Sequence, residues 1–245
     1  MSLPNKKGII LTFASLRVRG LIFEGARIAD SLGGNRAGIR DQQTGPSASL
    51  VVEGSIFQHN QEGILQGDDL DEMITIVNSR FVNNGNPNSN YFQRAVHIDS
   101  AASLSVTNSL FCGQLIGHNI KSRAMMTTVS NNQIYDGAAG PAPCRVGSSS
   151  LAIDVPNGGV ATIAGNQLIQ GSASQNYKII DYGEEGLSYP NDNSLVVTDN
   201  SFVNTAPAAT GIYDPYCIPV QTSRNSFEDV GTPVDPPQCE APVAD

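Results

Sequence analysis

The sequence predicts an all-β protein, a single-stranded right-handed parallel β-helix of about eight coils with three short strands each. Three observations predict this fold. An eight-residue unit recurs seven times, with a weaker eighth copy, and every copy ends on a large apolar residue. In the seven copies the fifth position holds Gly, Asn or Asp, which tolerate a sharp backbone bend. Successive units end 23 to 34 residues apart, which leaves no room for helical crossovers.

The repeated unit indicates a strand, a bend and a second strand. Its first and third positions are mostly apolar, as expected of a strand with one buried face. The copies are LRVRGLIF (16–23), LVVEGSIF (50–57), ITIVNSRF (74–81), LSVTNSLF (104–111), TTVSNNQI (127–134), ATIAGNQL (161–168), LVVTDNSF (195–202) and the weaker VQTSRNSF (220–227). Phe57, Phe81, Phe111 and Phe202 share the last position, so we expect them to stack in the core rather than to form a sugar-binding surface.

A third strand completes each predicted coil. Its segments are AGIRD, EGILQ, RAVHI, HNIKS, LAIDV, KIIDY and TGIYD. Their central apolar residues are expected to point inward: Ile39, Ile64, Val96, Ile120, Ile153, Ile180 and Ile212. The spacing from the repeated unit to this strand varies widely, so we expect the inserted residues to form a wall along one edge of the third sheet.

The composition excludes some classes of partner. A net charge of −9 and a pI near 4.7 argue against nucleic-acid binding, which needs clustered Lys and Arg. No stretch approaches the roughly 20 apolar residues that cross a bilayer, so membrane insertion is not expected. We expect a secreted or cell-surface protein, although no signal peptide is evident, because residues 8–16 fit a first strand better. The sequence leaves the oligomeric state open.

The predicted domain covers residues 1–230, and the Pro-rich segment 231–245 is expected to be a tail. Four cysteines lack metal-ligand spacing: Cys112, Cys144, Cys217 and Cys239. They form either one or two disulfides or four unpaired thiols. An acidic turn contains Asp68, Asp69, Asp71 and Glu72. It lacks the alternate spacing of a known Ca²⁺ loop, so we expect a solvated turn and assign no metal ligands, while calcium stays open as a cofactor.

One face of the third strand carries a column of polar residues. The residue after each inward Ile or Val is expected to face solvent, which gives Arg40, Leu65, His97, Lys121, Asp154, Asp181 and Tyr213. Beside the column lie Asp99, His118, Asn119 and Arg123. One interpretation of this column is structural, because opposite charges on neighbouring strands stabilise a sheet. The other is a catalytic site, because acids, bases and two of the three histidines concentrate there.

The coil pattern from Leu16 to Phe227 resembles right-handed parallel β-helix proteins of the pectate-lyase-like superfamily. Three segments are similar to distinctive segments of a bacterial subfamily: GHNIKSRA (117–124), AIDVPNGG (152–159) and YGEEG (182–186). The resemblance implies the fold, and it implies action on a long acidic polysaccharide bound along an outer sheet. The sequence lacks a polygalacturonase-like trio of Asp motifs and a pectate-lyase calcium cluster, so the resemblance implies the chemistry only weakly.

Three functions follow from these residues. A polysaccharide lyase would use Lys121 or a histidine as the base and Arg123 to neutralise a uronate carboxylate. A hydrolase would use Asp154 and Asp181 as paired carboxylates. A non-catalytic β-helix would present its polar face to a glycan or another subunit. The lyase is favoured, with His97, His118, Lys121, Arg123, Asp154 and Asp181 as catalytic candidates. The substrate-binding candidates are Arg40, Asp99, Asn119, Asn157 and Tyr213.

Overall fold

The protein is a parallel β-helix of about eight coils, as predicted. The structure, a computed structural model, describes residues 7–206 and 208–239. Within them the strands form three all-parallel sheets, and each coil contributes one strand to each sheet. The same residues contain two short 3-10 helices, at Asp30–Leu32 and Pro237–Cys239. No helix in the described part of the chain is long and apolar enough to cross a membrane.

The three sheets are named here A, B and C. Sheet A contains, in order, β1 (Gly8–Thr12), β4 (Ala37–Asp41), β7 (Glu62–Asp68), β10 (Val96–Ser100), β13 (His118–Ser122), β16 (Leu151–Val155), β19 (Lys178–Tyr182), β22 (Ala209–Tyr213) and β25 (Val230–Asp235). Sheet B contains β2 (Leu16–Arg19), β5 (Ser49–Glu53), β8 (Met73–Val77), β11 (Ser103–Thr107), β14 (Met126–Ser130), β17 (Val160–Ala164), β20 (Ser194–Thr198) and β23 (Val220–Ser223). Sheet C contains β3 (Ile22–Glu24), β6 (Ile56–Gln58), β9 (Arg80–Val82), β12 (Leu110–Cys112), β15 (Gln133–Asp136), β18 (Gln167–Gln170), β21 (Ser201–Asn204) and β24 (Ser226–Glu228).

The repeated unit supplies sheets B and C and the bend between them. The fifth position has a positive φ in every copy, at Gly20, Gly54, Asn78, Asn108, Asn131, Gly165, Asp199 and Arg224. The prediction of a sharp bend is therefore confirmed, and it holds for the weaker copy as well, where Arg224 has a φ of 55°. Gly, Asn and Asp adopt this backbone at the lowest cost, which explains why they fill the position in the seven regular copies, and Arg224 is the exception.

Stacked apolar side chains fill the interior. The rings of Phe23, Phe57, Phe81 and Phe111 stack with centroids 4.6 to 4.8 Å apart, and Phe202 stacks on Phe227 at 4.7 Å. The phenylalanines are core residues, as predicted. The central residues of the sheet A strands, from Ile39 to Ile212, are also fully buried and lie opposite one another in register.

A ladder of polar side chains follows each bend, at the sixth position of the unit. Its members are Ser55, Ser79, Ser109, Asn132, Asn166, Asn200 and Asn225. Each side-chain oxygen accepts a hydrogen bond from the backbone N–H of the corresponding residue one coil earlier, at 2.8 to 3.3 Å. The asparagines also donate to a backbone carbonyl of that earlier coil, as Asn166 does to Val129 at 2.9 Å. The ladder satisfies backbone groups that the bends leave outside the sheets.

The segment from Val230 to Cys239 is tied to the last coil. The boundary predicted at residue 230 falls at the start of β25, which pairs with β22. Two disulfides join Cys112 to Cys144 and Cys217 to Cys239, so the interpretation as paired cysteines is confirmed. The part of the predicted tail from residue 240 to 245 lies outside the described residues.

Candidate functional site

The polar column predicted on the third strand is present on sheet A. Its members lie opposite one another across consecutive strands: Arg40, Leu65, His97, Lys121, Asp154, Asp181 and Tyr213. The expectation that they face solvent is wrong for Leu65, Lys121, Asp154 and Asp181, which are buried. Lys121 is 3% exposed and Asp181 is fully buried. Both nonetheless point away from the apolar core, since their charged atoms meet other charged side chains.

The cover over the column is residues 183–193, called the strap here, which connect β19 to β20. Its Glu185 carboxylate contacts Lys121 and Arg123. The Tyr189 hydroxyl donates to the carbonyl of Arg123 at 2.7 Å. The backbone N–H of Ser188 donates to the carbonyl of Asn157 at 2.9 Å. The strap therefore excludes water from the middle of the column.

Beneath the strap the side chains form one continuous series of ionic contacts, called the ion chain. It runs His97, Asp99, Arg123, Glu185, Lys121, Asp154, His118. The successive N···O distances are 3.1, 3.1, 2.8, 2.7, 3.1 and 2.9 Å. The structure thus brings together five of the six predicted catalytic residues and the predicted substrate-binding Asp99. The three segments 117–124, 152–159 and 182–186, singled out in the sequence, all contribute to the ion chain.

The sixth catalytic candidate, Asp181, lies in a separate cluster. The Lys178 ammonium contacts Asp181 at 2.8 Å and Glu184 at 3.1 Å, and lies 3.7 Å from the centre of the Tyr213 ring. Burial, and the hydrogen bond shared with Glu184, raise the pKa of Asp181 to about 8. Asp154 differs, because contacts with His118 and Lys121 outweigh its burial and lower its pKa. The two carboxylates proposed as a hydrolytic pair are therefore each committed to buried structural contacts.

Two of the predicted substrate-binding residues, Asn119 and Asn157, are not part of the ion chain. Asn119 is fully buried and its amide donates to the Leu151 carbonyl at 3.3 Å. Asn157 is half-buried and meets the strap through its backbone carbonyl. Asn119 therefore has a structural position, and the prediction that it contacts a substrate is corrected. The strand turns here, so that two successive residues face inward, as Ala152 and Ile153 do one coil later.

A cleft opens on sheet A at the Arg40–His97 end of the column. Its volume is about 360 Å³, and it is lined by Asn35, Arg40, Glu62, Leu65, Asn90, Tyr91, Phe92, Arg94, His97 and Asp99. Asn35 comes from the segment between β3 and β4, and Asn90 to Phe92 come from the segment between β9 and β10. The inserted residues form one wall, as the spacing predicted. The Tyr91 and Phe92 side chains are 45% and 57% exposed.

The wall is fixed by hydrogen bonds between its two segments. The Asp30 carboxylate accepts from the Ser89 hydroxyl at 2.8 Å and from the Asn90 N–H at 2.7 Å. The Gln93 amide donates to the Gly34 carbonyl. A Cβ added at Gly34 would meet the Tyr91 ring at 2.5 Å, so the ring packs directly on this glycine. The aromatic side chains are thus held in place beside the charged floor.

The floor of the cleft contains titratable groups whose pKa values are shifted in opposite directions. Burial raises the pKa of Glu62 to about 8, although Arg94 and Arg40 oppose this. Burial lowers the pKa of His97, against the effect of Asp99. The pKa of Asp99 is lowered, because contacts with His97 and Arg123 outweigh its burial. At neutral pH the cleft therefore holds a protonated Glu62, a neutral His97 and an ionised Asp99.

Two guanidinium groups in the cleft have unused donors. The Nε atoms of Arg40 and Arg94 are buried and have no hydrogen-bond partner among residues 7–206 and 208–239. Arg94 uses one terminal nitrogen on the Phe92 carbonyl at 2.6 Å. An arginine has five donors in a fixed plane, so both side chains retain donors for a ligand. The Nε atoms are shielded from solvent, so the donors that an anion in the cleft can reach are terminal nitrogens of the two side chains.

The sequence interpretation missed five residues of this region: Glu62, Tyr91, Phe92, Arg94 and Glu185. Glu62 and Arg94 begin the EGILQ and RAVHI segments, where simple alternation placed them inward. The small residues Gly63 and Ala95 follow them and face the core instead. A charged residue followed by a small one at the start of the segment was the signal that could have predicted their outward orientation. Tyr91, Phe92 and Glu185 lie in insertions that follow no period.

The acidic turn is only partly solvated: Asp68 and Asp71 are exposed as predicted, whereas the prediction is wrong for Asp69 and Glu72, which are buried. Glu72 is fully buried and accepts from the Gln43 amide at 2.5 Å and from the Gln66 amide at 2.8 Å. Asp69 accepts from the N–H groups of Asp71 and Gly45 at 3.1 Å each. Across the described ranges no group of three or more His, Cys, Asp or Glu side chains is placed to hold a metal ion. Asp69 and Glu72 therefore close the corner between sheets A and B.

The buried carboxyls predict how stability depends on pH. Burial raises the pKa of Glu62 to about 8, and burial with a hydrogen bond shared with Asp41 raises that of Glu72 to about 8. These groups and Asp181 keep their protons in the folded state at pH values where the unfolded chain has lost them. Stability must therefore fall as pH rises from about 5 to 8.

We expect the unfolding temperature to fall by several degrees from pH 5.5 to pH 8.5, in thermal denaturation at constant ionic strength. Glu62→Gln should reduce this slope, because glutamine does not titrate. The depressed pKa values of Asp99 and Asp154 act at lower pH: the stability that they contribute is lost as pH falls below about 4. An unfolding temperature that rises from pH 5.5 to 8.5 would contradict the prediction.

Comparison of the chain with protein-family models, with curated proteins and with solved structures found no match. The function is therefore argued from the cleft and the ion chain alone.

Proposed function

We propose that this protein binds an acidic polysaccharide in the cleft and cleaves it by β-elimination, as a member of the pectate-lyase-like superfamily. The observation that carries the proposal is the pair Arg40 and Arg94, whose side chains both line the cleft beside a neutral histidine. In a protein of net charge −9, two arginines turned into one cleft form a local site for anions. A uronate carboxylate matches their planar donors.

The wall of the cleft suits a sugar ring. Tyr91 and Phe92 are exposed although they are large and apolar, and the hydrogen bonds of Asp30 hold their segment in place. Binding sites commonly combine aromatic surfaces with a few placed polar groups. The apolar face of a pyranose ring covers such a surface, while its carboxylate reaches the arginines. The ligand class is therefore a polymer of acidic sugars.

The cleft holds a base and an acid for the elimination. His97 places Nε2 3.1 Å from Asp99, so the Nε2 proton is directed to that carboxylate and Nδ1 keeps a lone pair. Nδ1 is shielded from solvent in this structure and has no hydrogen-bond partner among the described residues, so a neighbouring side chain must move aside to expose it. It removes the proton beside the uronate carboxylate, whose developing charge Arg40 and Arg94 stabilise. The carbon–oxygen bond then breaks as a carbon–carbon double bond forms, and Glu62 gives its proton to the leaving oxygen.

Lys121 is not assigned as the base in this proposal. Its side chain is 4% exposed, and Nζ lies between Asp154 and Glu185 at 3.1 and 2.7 Å. A substrate proton has no path to this atom while the Glu185 carboxylate covers it. The proposed catalytic base therefore lies at the His97 end of the ion chain.

Hydrolysis is the second candidate, at the same cleft. Glu62 has a raised pKa and Asp99 a lowered one, which is the division expected of a general acid and a general base. The products separate the two reactions. Elimination creates an unsaturated sugar that absorbs in the ultraviolet, whereas hydrolysis creates reducing ends without this absorbance.

We expect Arg40→Ala and Arg94→Ala each to weaken binding of polygalacturonate or alginate by about tenfold or more, since each removes a charge-assisted contact. Titration calorimetry measures the affinity, and absorbance with a reducing-end assay follows cleavage. Arg80→Ala is the matched control, because Arg80 is exposed on β9, outside the cleft. Equal affinity of all three variants and wild type would refute the site. Binding without cleavage would refute the lyase and leave a binding protein.

We also propose that the protein is exported to the cell surface or the medium. The support is the pairing of all four cysteines in the described structure. Such disulfides persist in oxidising compartments and are rare in the cytosol. A polysaccharide substrate outside the cell fits the same location.

A further inference from the structure

We propose that Lys121 and Arg123 form a second carboxylate-binding site, which Glu185 occupies in this structure and from which a carboxylate of the bound polysaccharide displaces it. The inference rests on the proposed function, because it extends the cleft by one further sugar-binding position. The strap thereby competes with the substrate for part of the binding surface.

The Glu185 carboxylate has the geometry of a bound ligand. Oε1 lies 2.7 Å from Lys121 Nζ. Oε2 accepts from Arg123 Nε at 3.0 Å and from Nη2 at 2.8 Å. One carboxylate thus bridges two cations, one on β13 and the other at the residue that follows β13. A uronate carboxylate has the same atoms and can make the same three contacts.

The cation and the anion of this site differ in access. The Lys121 side chain is 4% exposed and is held by Asp154, whereas the Glu185 side chain is 42% exposed. The backbone around Glu185 is anchored, since its N–H donates to the Pro156 carbonyl at 2.9 Å. A change of side-chain rotamer alone therefore removes the carboxylate from the site. The buried lysine stays in place, held by Asp154, and its Nζ is then open to another carboxylate.

Arg123 makes this site continuous with the cleft. Its Nη1 lies 3.1 Å from Asp99 Oδ1 and 3.5 Å from His97 Nε2, and both of these residues line the cleft. The opposite edge of the same guanidinium holds Glu185. A chain of sugars that leaves the cleft past His97 therefore arrives at the position of the Glu185 carboxylate.

The length of the ligand decides the competition. Exchange of one carboxylate for another conserves the contacts, so the outcome depends on effective concentration. Glu185 is tethered, and a tethered group acts at a concentration in the millimolar range or above. A dilute monosaccharide does not reach this effective concentration, so it does not displace Glu185. A polymer that is already bound in the cleft is tethered as well, so one of its carboxylates can displace Glu185.

The test begins with Glu185→Ala and a small carboxylate. The control is Glu184→Ala, which removes the neighbouring carboxylate of the strap, whose partner is Lys178. We measure unfolding temperatures in sodium acetate and in sodium chloride at equal concentration and pH. We expect acetate to raise the unfolding temperature of Glu185→Ala saturably, by several degrees more than chloride does. Wild type and Glu184→Ala should show no such difference. If acetate and chloride act alike on Glu185→Ala, the inference is overturned.

A second measurement addresses the polysaccharide. Glu185→Ala should bind long polygalacturonate about tenfold more tightly than wild type does, with no gain for galacturonic acid itself. Equal or weaker binding of the long chain overturns the displacement. If neither protein binds any polyuronate, the proposed function fails and the displacement fails with it. Saturable rescue by acetate in that case still establishes the carboxylate site, so the two failures are distinguishable.

Discussion

Replacement of His97 by asparagine is expected to lower the rate of β-elimination by about 10²- to 10⁴-fold, the usual contribution of a positioned acid–base group. Asparagine keeps a polar side chain of similar reach but cannot take up the proton. Because Arg40, Arg94 and the aromatic wall are untouched, the Michaelis constant should change much less than kcat. Initial rates from ultraviolet absorbance, measured over a range of substrate concentrations, separate the two parameters.

The matched control for this variant is His59→Asn. His59 lies in the turn after β6 with a φ of 57°, which asparagine tolerates, and it does not line the cleft. The control should retain wild-type kcat. The pH profile of the wild type gives a further check, since activity should fall as Glu62 loses its proton at about pH 8. Full activity of His97→Asn would remove the histidine from the mechanism and with it the proposed base.

Replacement of Asn166 by alanine is expected to cost about 4 kcal/mol of unfolding free energy, at about 1 kcal/mol for each hydrogen bond lost. Its side chain makes four of them. The amide donates to the Val129 carbonyl and to Asn200 Oδ1, and Oδ1 accepts from the backbone and the side chain of Asn132, all at 2.9 to 3.0 Å. The buried groups left behind have no access to water.

Denaturant unfolding measures this loss, with Gln167→Ala as the control. Gln167 is the next residue of the chain, and it is exposed. A surface substitution of this kind should change stability by less than about 0.5 kcal/mol. If Asn166→Ala costs no more than Gln167→Ala, the ladder does not stabilise the stack. A variant that fails to fold at all agrees with the expected direction, and Asn166→Ser then measures a partial loss.

The sequence predicts the fold well because the fold is periodic. Gly, Asn and Asp recur where the chain bends, and Ile39 to Ile212 recur where it faces the core, so each coil independently supports the same interpretation. The register of the polar column follows from the same alternation. The alternation of inward and outward residues does not predict which segments cover the polar column, however. The strap and the segment bearing Tyr91 and Phe92 are insertions, whose course depends on individual contacts such as those of Glu185 and Asp30.

The sequence therefore identified many residues of the candidate site but not how they are arranged or buried. His97, Asp99 and Arg123 were identified, but the burial of Lys121 and Asp154 was not, because it depends on a strap more than 25 residues further along the chain. Glu62 and Arg94 were missed for a different reason. The strand turns at Gly63 and Ala95, which interrupts the alternation that placed their neighbours.

The direction of the polar ladder bears on how the chain acquires its structure during synthesis. Each side-chain acceptor is supplied by the coil that follows, as Asn200 supplies Asn166 and Asn225 supplies Asn200. On a ribosome, where the N-terminal coils emerge first, the newest coil is always one short of its hydrogen-bond partner. Folding should then advance one coil behind translation, and a chain halted at any point would leave a single unfinished rung at its growing end.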